Sequence, residues 1–119
     1  MHQVTDKYWT GKVELEEVAA PTIRARTVLV PTAFSLISAG TERMKVLEAV
    51  TRDGVAATYE KLMNHLKTPV PLGYSLAGTV ADVGEGVAEF RIGNRVACAG
   101  SSANHAEFNL VPKNLCCRP

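Results

Sequence analysis

The stretch FRIGNRVACAG, residues 90–100, and the stretch HAEFNLVP, residues 105–112, decide the fold class of this chain. Both are short and rich in apolar, β-branched or aromatic residues, which is typical of strands. Gly93-Asn94 inside the first stretch predicts a tight turn with a positive φ angle. Glycine-punctuated segments of the same kind fill residues 73–86. The sequence therefore predicts a mainly β domain of barrel-like or sandwich type.

Two longer strands are predicted in the first third of the chain. Over residues 11–18, Val13 and Leu15 alternate with charged residues, and this period of two predicts a half-buried strand. The stretch TVLVPTAFSLIS, residues 27–38, predicts a core strand. Pro31 interrupts it, which indicates a bulge or an edge position because proline cannot donate to a ladder.

A helical excursion is predicted around residues 41–67, where apolar residues recur at helical spacing in two series. Pro69 and Pro71 end it because proline lacks the donor that a helix interior needs. The tyrosine and methionines of this apolar stripe are interpreted as core packing.

Length and composition exclude several classes of function. The chain has 119 residues, is 46% hydrophobic and carries a formal net charge of +1, which fits one globular domain. No basic stripe is visible, so nucleic acid is not an expected partner. No stretch approaches the roughly 18 apolar residues of a membrane span, and no signal peptide is visible. The predicted location is therefore the cytoplasm, with no membrane partner.

The number and spacing of the three cysteines favour neither a disulfide nor a metal site. Cys116 and Cys117 are neighbours and cannot bridge each other without strain, and an odd number argues against a disulfide framework. A metal site built from Cys98, His105, Cys116 and Cys117 would lack any CxxC or HxxxH spacing. The cysteines are expected to be buried or reduced bystanders.

Four ordered stretches carry a resemblance to a known family: residues 27–42, 71–87, 90–100 and 105–112. They read TVLVPTAFSLISAGTE, PLGYSLAGTVADVGEGV, FRIGNRVACAG and HAEFNLVP. In that order they resemble the ICGTD, PxxxGHExxGxVxxVGxxV, FxxGDRVxxxG and AEYxxVP motifs of the N-terminal GroES-like domain of medium-chain dehydrogenases/reductases, the zinc-type alcohol dehydrogenases and quinone reductases. The resemblance extends to bacterial bi-domain oxidoreductases. It implies a GroES-like domain over residues 1–119, folded as a partly open β-barrel.

The same resemblance implies a substrate, a partner domain and a cofactor. In this family a small-molecule carbonyl or alcohol binds between the GroES-like domain and a following Rossmann domain, where NAD(P) exchanges hydride with it. No GxGxxG turn follows a strand and opens a helix in this sequence. The chain is thus expected to bind no cofactor by itself and to need a Rossmann domain, supplied in cis or in trans.

The residues at the family's zinc-binding positions are of the wrong type. Aligned without gaps, Ala39 stands at the cysteine position, Tyr74 at the histidine position and Ser75 at the glutamate position. A methyl group cannot bind a metal, and neutral hydroxyls are poor ligands for Zn²⁺. A shift by one residue would place Ser38 at the cysteine position, which does not restore a ligand. The resemblance therefore implies a zinc-independent member of the family.

A hydrogen-bond donor could replace the Lewis acid. Thr41 stands at the family's Ser/Thr relay position and Tyr74 at the histidine position, and either could donate to a developing alkoxide. The alternatives are that Thr41 caps the following helix and that Tyr74 fills the volume left by the metal. Ser38 and Ser75 are weaker candidates, and His105 is interpreted as a surface or turn residue.

Two functions remain open at this point. The first is the substrate-side domain of a zinc-independent NAD(P)-dependent oxidoreductase, truncated and inactive alone, so that whether this chain is an enzyme is left undecided. The second is a non-catalytic GroES-like binding module. An apolar surface is expected near Thr41, Tyr74 and the C-terminal strand, and its exposure would favour a homo-oligomer.

Overall fold

The computed structural model describes residues 1–7, 12–40 and 70–119, and these form antiparallel β-structure. The mainly β class predicted from the sequence is confirmed. The strands are β1 (His2–Lys7), β2 (Lys12–Glu17), β3 (Thr27–Ser35), β4 (Val70–Pro71), β5 (Ser75–Thr79), β6 (Asp82–Val83), β7 (Arg95–Ala99), β8 (Phe108–Pro112) and β9 (Cys116–Cys117). A turn of 3-10 helix, Lys113–Leu115, joins the last two strands.

The strands form two open sheets. One has three strands in the order β2-β1-β4, and the other has six, in the order β6-β3-β5-β7-β9 with β8 also paired to β3. A bridge between Gln3 and Ala106 connects them. Neither sheet closes on itself within the described ranges. The helical excursion predicted around residues 41–67 lies outside the described residues.

Strand β3 organises the larger sheet because it pairs with three other strands. Its register against β5 shifts between Thr32 and Phe34, directly after Pro31, so the predicted interruption is a bulge. At the bulge the backbone of β5 comes very close, and a Cβ on Gly78 would collide with the carbonyl oxygen of Pro31. Glycine is required there for close approach. The turn predicted at residue 93 is also confirmed, with φ of 93° at Gly93.

The hydrophobic core lies in the larger sheet and is built from alternate residues of its strands. Val28 and Val30 of β3 are completely buried, as is Val111 of β8. Burying each such side chain stabilises the fold by roughly 1.5–3 kcal/mol. The remaining members of the core are Leu76, Val80, Phe90, Val96, Cys98 and Ala103.

The prediction that Val13 and Leu15 lie on the buried face of β2 was wrong. The strand forms as expected, but Val13 is 59% exposed and Leu15 is 67% exposed. Among the described strands β2 pairs only with β1, at the edge of the smaller sheet, and the face that bears Val13 and Leu15 is the exposed one. Alternation reveals that a strand has two different faces, but it does not reveal which face the core covers.

The residues that the structure describes include few helical positions. None of their helical segments has the length and apolar character required to cross a membrane.

Candidate functional site

The segments that carry Ala39 and Tyr74 meet at the end of β3. The backbone nitrogen of Leu36 donates a 3.0 Å hydrogen bond to the carbonyl of Ser75, where β5 begins. Ala39 is exposed, whereas Tyr74 and Ser75 are half-buried. The hydrogen bond therefore joins the segments that lead to these two positions at one end of the larger sheet. Thr41 lies outside the described residues.

A tight backbone turn presents Tyr74. Gly73 has φ of 105°, and a Cβ at this position would lie 2.7 Å from the backbone nitrogen of His105. That nitrogen donates a 2.7 Å hydrogen bond to the carbonyl of Leu72, while the carbonyl of Tyr74 accepts one of 2.9 Å from Gly100. Hydrogen bonds to their carbonyls thus hold Leu72 and Tyr74, the two neighbours of Gly73, in place. A side chain at Gly73 would disrupt this arrangement, because φ and the close backbone contact both oppose it.

His105 forms a hydrogen-bonded pair with Ser35. Its ring nitrogen Nδ1 lies 2.7 Å from the hydroxyl oxygen of Ser35, although the two residues are 70 positions apart in the sequence. Ser35 is the last residue of β3 and precedes the Leu36 hydrogen bond described above. His105 lies in a bend and is half-buried, so this contact adds a partner to a residue interpreted from the sequence as a surface or turn histidine. The pair places an imidazole and a hydroxyl beside the backbone that carries Tyr74.

A buried asparagine positions this loop. The side-chain amide of Asn109 donates to the hydroxyl of Thr32 at 2.9 Å and to the carbonyl of Asn104 at 3.0 Å. Its amide oxygen accepts a 3.0 Å hydrogen bond from the backbone nitrogen of Asn104. Asn104 in turn donates through Nδ2 to the carbonyl of Gly73 at 3.1 Å. One side chain thus connects β8 and β3 to the loop before His105 and to the turn before Tyr74.

An apolar cleft lies next to these polar groups. Phe34, Leu36 and Ile37 are 79%, 61% and 71% exposed, although they directly continue a core strand. The cleft has a volume of about 270 Å³. It is lined by Phe34, Ser35, Leu36, Ser75, Leu76, Ala77 and Ala97. Contiguous apolar surface of this kind usually contacts a partner or a ligand.

A second cleft also borders Ser35. It has a volume of about 320 Å³, and His2, His105 and Glu107 are among its lining residues. The backbone nitrogen of His2 donates a 2.7 Å hydrogen bond to the carboxylate of Glu107, which lowers the pKa of Glu107. Among the described residues no three histidine, cysteine or carboxylate groups are arranged to hold a metal ion.

The comparison with protein families decides the assignment. The family model for the alcohol dehydrogenase GroES-like domain matches residues 43–117, more than half of the chain. This chain belongs to that family. The resemblance stated from the motifs is thereby confirmed for the domain. A search of curated proteins found no match.

Solved structures extend the comparison of this GroES-like domain. An alcohol dehydrogenase superfamily protein from Novosphingobium aromaticivorans matches 98% of the chain at 26% identity, with a TM-score of 0.71. The quinone oxidoreductases of Coxiella burnetii and of Escherichia coli, the latter complexed with NADPH, match 99% at 18% and 14% identity, with TM-scores of 0.72 and 0.71. The last two show the fold alone. This chain covers 33%, 36% and 33% of these proteins, roughly a third of each.

Sequence reasoning missed Ser35 and Asn109. Ser35 gave no signal because its partner is distant in the chain, so only the fold reveals the contact. Asn109 did give one: it lies two residues before the buried Val111, at an inward position of β8. A polar residue at such a position indicates a buried hydrogen-bond network.

Proposed function

We propose that this GroES-like domain is the substrate-side part of a zinc-independent NAD(P)-dependent oxidoreductase of the alcohol dehydrogenase type. We further propose that residues 1–119 do not catalyse hydride transfer by themselves. The observation that carries the proposal is the pairing of Leu36 with Ser75, because it joins the two segments that bear the metal-ligand positions of the family. At those positions stand a methyl group and a phenol.

The zinc argument is chemical. A catalytic Zn²⁺ is normally held by thiolate, imidazole or carboxylate, and a vacant position then polarises the substrate oxygen. Ala39 offers no lone pair, and Tyr74 and Ser75 offer neutral hydroxyls. The residues present do not fit the metal. The role of the Lewis acid then falls to hydrogen-bond donors on this domain.

Tyr74 and Thr41 are the proposed donors to the substrate oxygen. Tyr74 is half-buried and directly follows the turn at Gly73, so the backbone constrains its position at the end of the sheet. Preorganised donors stabilise negative charge that develops on oxygen, and positioning supplies much of their effect. His105 lies in the loop against Gly73 and pairs with Ser35 at the end of β3. We assign this pair a role in proton transfer to or from the substrate oxygen.

The cofactor would be held outside residues 1–119. NAD(P) supplies or accepts the hydride when it is bound by a Rossmann domain, whose glycine turn and helix N-terminus hold the pyrophosphate. This chain corresponds to only about a third of the related quinone oxidoreductase that carries NADPH. Exposed Phe34, Leu36 and Ile37 support a covering domain, because an apolar surface of this kind is rarely left in water.

Zinc uptake tests the first part of the proposal. The chain is incubated with Zn²⁺, passed over a desalting column and analysed for metal beside the double variant Ala39→Cys, Tyr74→His. We expect no retained zinc in the original chain and a measurable gain in the double variant, which restores a thiolate and an imidazole. Tyr74→His alone is the matched control. About one tightly held zinc per original chain would refute zinc independence.

Cofactor binding tests the second part. NADPH and NADH are titrated against residues 1–119 and against a longer product in which these residues are fused to a Rossmann domain. We expect binding and carbonyl or quinone reduction only in the longer product, where Tyr74→Phe lowers kcat on the order of 10²-fold. Micromolar binding by residues 1–119 alone would overturn the assignment. An undiminished kcat in Tyr74→Phe would remove Tyr74 from the site and leave the domain assignment intact.

A second candidate function is a non-catalytic interaction module. The exposed apolar residues Phe34 and Ile37 favour it, because they offer a surface for a protein partner or a second copy. Sedimentation separates the two readings. A ring-sized oligomer that dissociates in the Phe34→Ser, Ile37→Ser variant supports the module, whereas a monomer or dimer that acquires activity only with a cofactor domain supports the oxidoreductase.

A further inference from the structure

Two cysteines face each other across the edge of the larger sheet. Cys98 in β7 and Cys116 in β9 are directly opposite in the antiparallel register. Their sulfur atoms are 3.5 Å apart, and both residues are free thiols. A disulfide needs a sulfur separation of about 2.0 Å. The two atoms therefore have to approach by roughly 1.5 Å, a distance that small rotations of the two side chains can cover.

The surroundings of the pair determine which cysteine can react with which. Cys98 is 3% exposed and belongs to the hydrophobic core, whereas Cys116 is half-buried and packs against that core. Cys117 is exposed and, as the next residue of the strand, points to the opposite face of the sheet. Cys117 thus cannot reach Cys98 while β9 remains paired. The fold selects Cys98 with Cys116 from the three pairings that three cysteines allow.

Hydrogen bonds give the two thiols different chemical roles. Cys98 donates its hydrogen to the sulfur of Cys116, and this hydrogen bond lowers the pKa of Cys116. The same hydrogen bond, followed by burial, raises the pKa of Cys98 far above its ordinary value. Cys116 is also the more accessible of the two. It is therefore the residue that meets a reagent from solution first, while Cys98 lies behind it in the core.

We propose that Cys98 and Cys116 form an oxidative modification site, at which a hydroperoxide converts the two thiols into a cross-strand disulfide that fastens β9 to β7. The proposal does not depend on the function proposed above. A disulfide is compatible with the core because it is apolar and replaces two sulfur atoms already in contact. In a reducing compartment the pair rests as thiols and responds to oxidant.

The reaction balances with hydrogen peroxide as the oxidant. The Cys116 thiolate attacks one peroxide oxygen, the O–O bond breaks, and Cys116 becomes a sulfenic acid while the departing hydroxide takes a proton to form water. The sulfur of Cys98 then attacks the sulfur of Cys116 and releases its own proton. The S–O bond breaks as the S–S bond forms, and a second water leaves. Two thiols are oxidised and one peroxide is reduced to two waters.

The disulfide would covalently fix β9, a short edge strand, to β7. Strand β9 has two residues and, within the described part of the chain, pairs only with β7, so few of the described hydrogen bonds hold it in place. Such edge elements open locally more often than core strands. Closing the loop between Cys98 and Cys116 also reduces the freedom of the unfolded chain. Oxidation should therefore raise the unfolding temperature and protect β9 from opening.

Peptide mapping provides a direct test because Lys113 lies between the two cysteines. The purified chain is treated with hydrogen peroxide, denatured, alkylated and digested with trypsin without reduction. Trypsin separates residues 96–113, which contain Cys98, from residues 114–119, which contain Cys116 and Cys117. We expect these two peptides to remain joined, with a mass lower by two hydrogen atoms than their sum, and to separate on reduction.

Two variants assign the bond. Cys117→Ser should still form the joined peptide, and after oxidation it should accept no alkylating reagent. Cys116→Ser, a change at a half-buried position that the fold should tolerate, should lose the joined peptide and the rise of several degrees in unfolding midpoint that we expect for the oxidised original chain. A link through Cys117, dimers joined between chains, or sulfinic acid on Cys116 without any link would each overturn the proposal.

Discussion

Asn109 and Asp6 are both polar side chains buried in strands, but their surroundings differ completely. Asn109, 4% exposed, uses its amide nitrogen and its amide oxygen in hydrogen bonds to Thr32 and to Asn104. Asp6, 2% exposed, lies between Val13 of β2 and Val70 of β4. Its oxygen Oδ1 has no hydrogen-bond partner among the described residues.

The difference shows that burial alone does not determine what a polar group contributes. The network around Asn109 supports the loop of His105 and the turn of Gly73, so this asparagine links the larger sheet to the candidate site. Among the described residues Oδ1 of Asp6 joins no such network, and desolvation raises the pKa of this carboxyl above the ordinary value of 3.8. A satisfied buried group stabilises and positions its neighbours, whereas an unsatisfied one reduces stability.

The largest effect is expected from Asn109→Leu. The substitution keeps the volume approximately but leaves the Thr32 hydroxyl and the backbone nitrogen of Asn104 without the partner that Asn109 provides, while the Asn104 carbonyl keeps its hydrogen bond from Ala106. Each buried group that loses its hydrogen bond costs about 1–3 kcal/mol, so we expect a loss of about 2–4 kcal/mol in the free energy of unfolding. Urea denaturation measures this loss, and hydrogen exchange at the amide of His105 should accelerate.

Thr32→Val is the matched control for that measurement. It is close to isosteric and removes only one acceptor of the network, so about 1 kcal/mol should be lost and the His105 amide should remain protected. If the two variants lost equal stability, or if Asn109→Leu were neutral, the network would not support the loop. The contrast between Asn109 and Asp6 would then disappear.

The difference between local and distant contacts explains how much of this structure the sequence could predict. Glycine spacing and apolar runs predicted β3, β5, β7 and β8, since these features are local. Strand β1 was missed, because its sequence HQVTDK shows no regular alternation of apolar and polar residues. The family motifs identified the positions of Ala39 and Tyr74 from local sequence, whereas the Ser35–His105 and Asn109–Thr32 contacts span 70 and 77 positions and depend on tertiary structure.

An intermediate effect of opposite sign is expected from Asp6→Asn. The folded carboxyl has a raised pKa, so the folded chain binds its proton more tightly than the unfolded chain does. The contribution of Asp6 to stability is therefore fully present below pH 3.8 and is lost as pH rises through the folded pKa. Asp6→Asn should remove this fall and add on the order of 1 kcal/mol at neutral pH, because an amide loses less on desolvation than a carboxylate. Thermal unfolding across pH measures both.

Thr5→Val controls for the loss of an unsatisfied polar atom without a charge. The hydroxyl of Thr5 is also buried without a partner among the described residues, and this side chain is 1% exposed. The change should stabilise slightly and equally at every pH. If Asp6→Asn behaved in the same pH-independent way, or if it destabilised the chain at neutral pH, then Asp6 would not be a desolvated carboxylate and the contrast with Asn109 would need another basis.

The smallest effect is expected where burial is absent, at the pair of Glu89 and Lys113. The ammonium of Lys113 lies 2.8 Å from the Glu89 carboxylate, and this hydrogen bond lowers the pKa of Glu89. A lowered pKa contributes stability above the unfolded value and loses it as pH falls through the folded value. Because the carboxylate is exposed to water and salt, the contribution is screened. Glu89→Gln should therefore leave the unfolding midpoint at neutral pH within error of the original, with any small difference removed by added salt. A clear, salt-independent loss would show that exposed pairs matter as much here as the buried network of Asn109, and burial would no longer explain the order of the three effects.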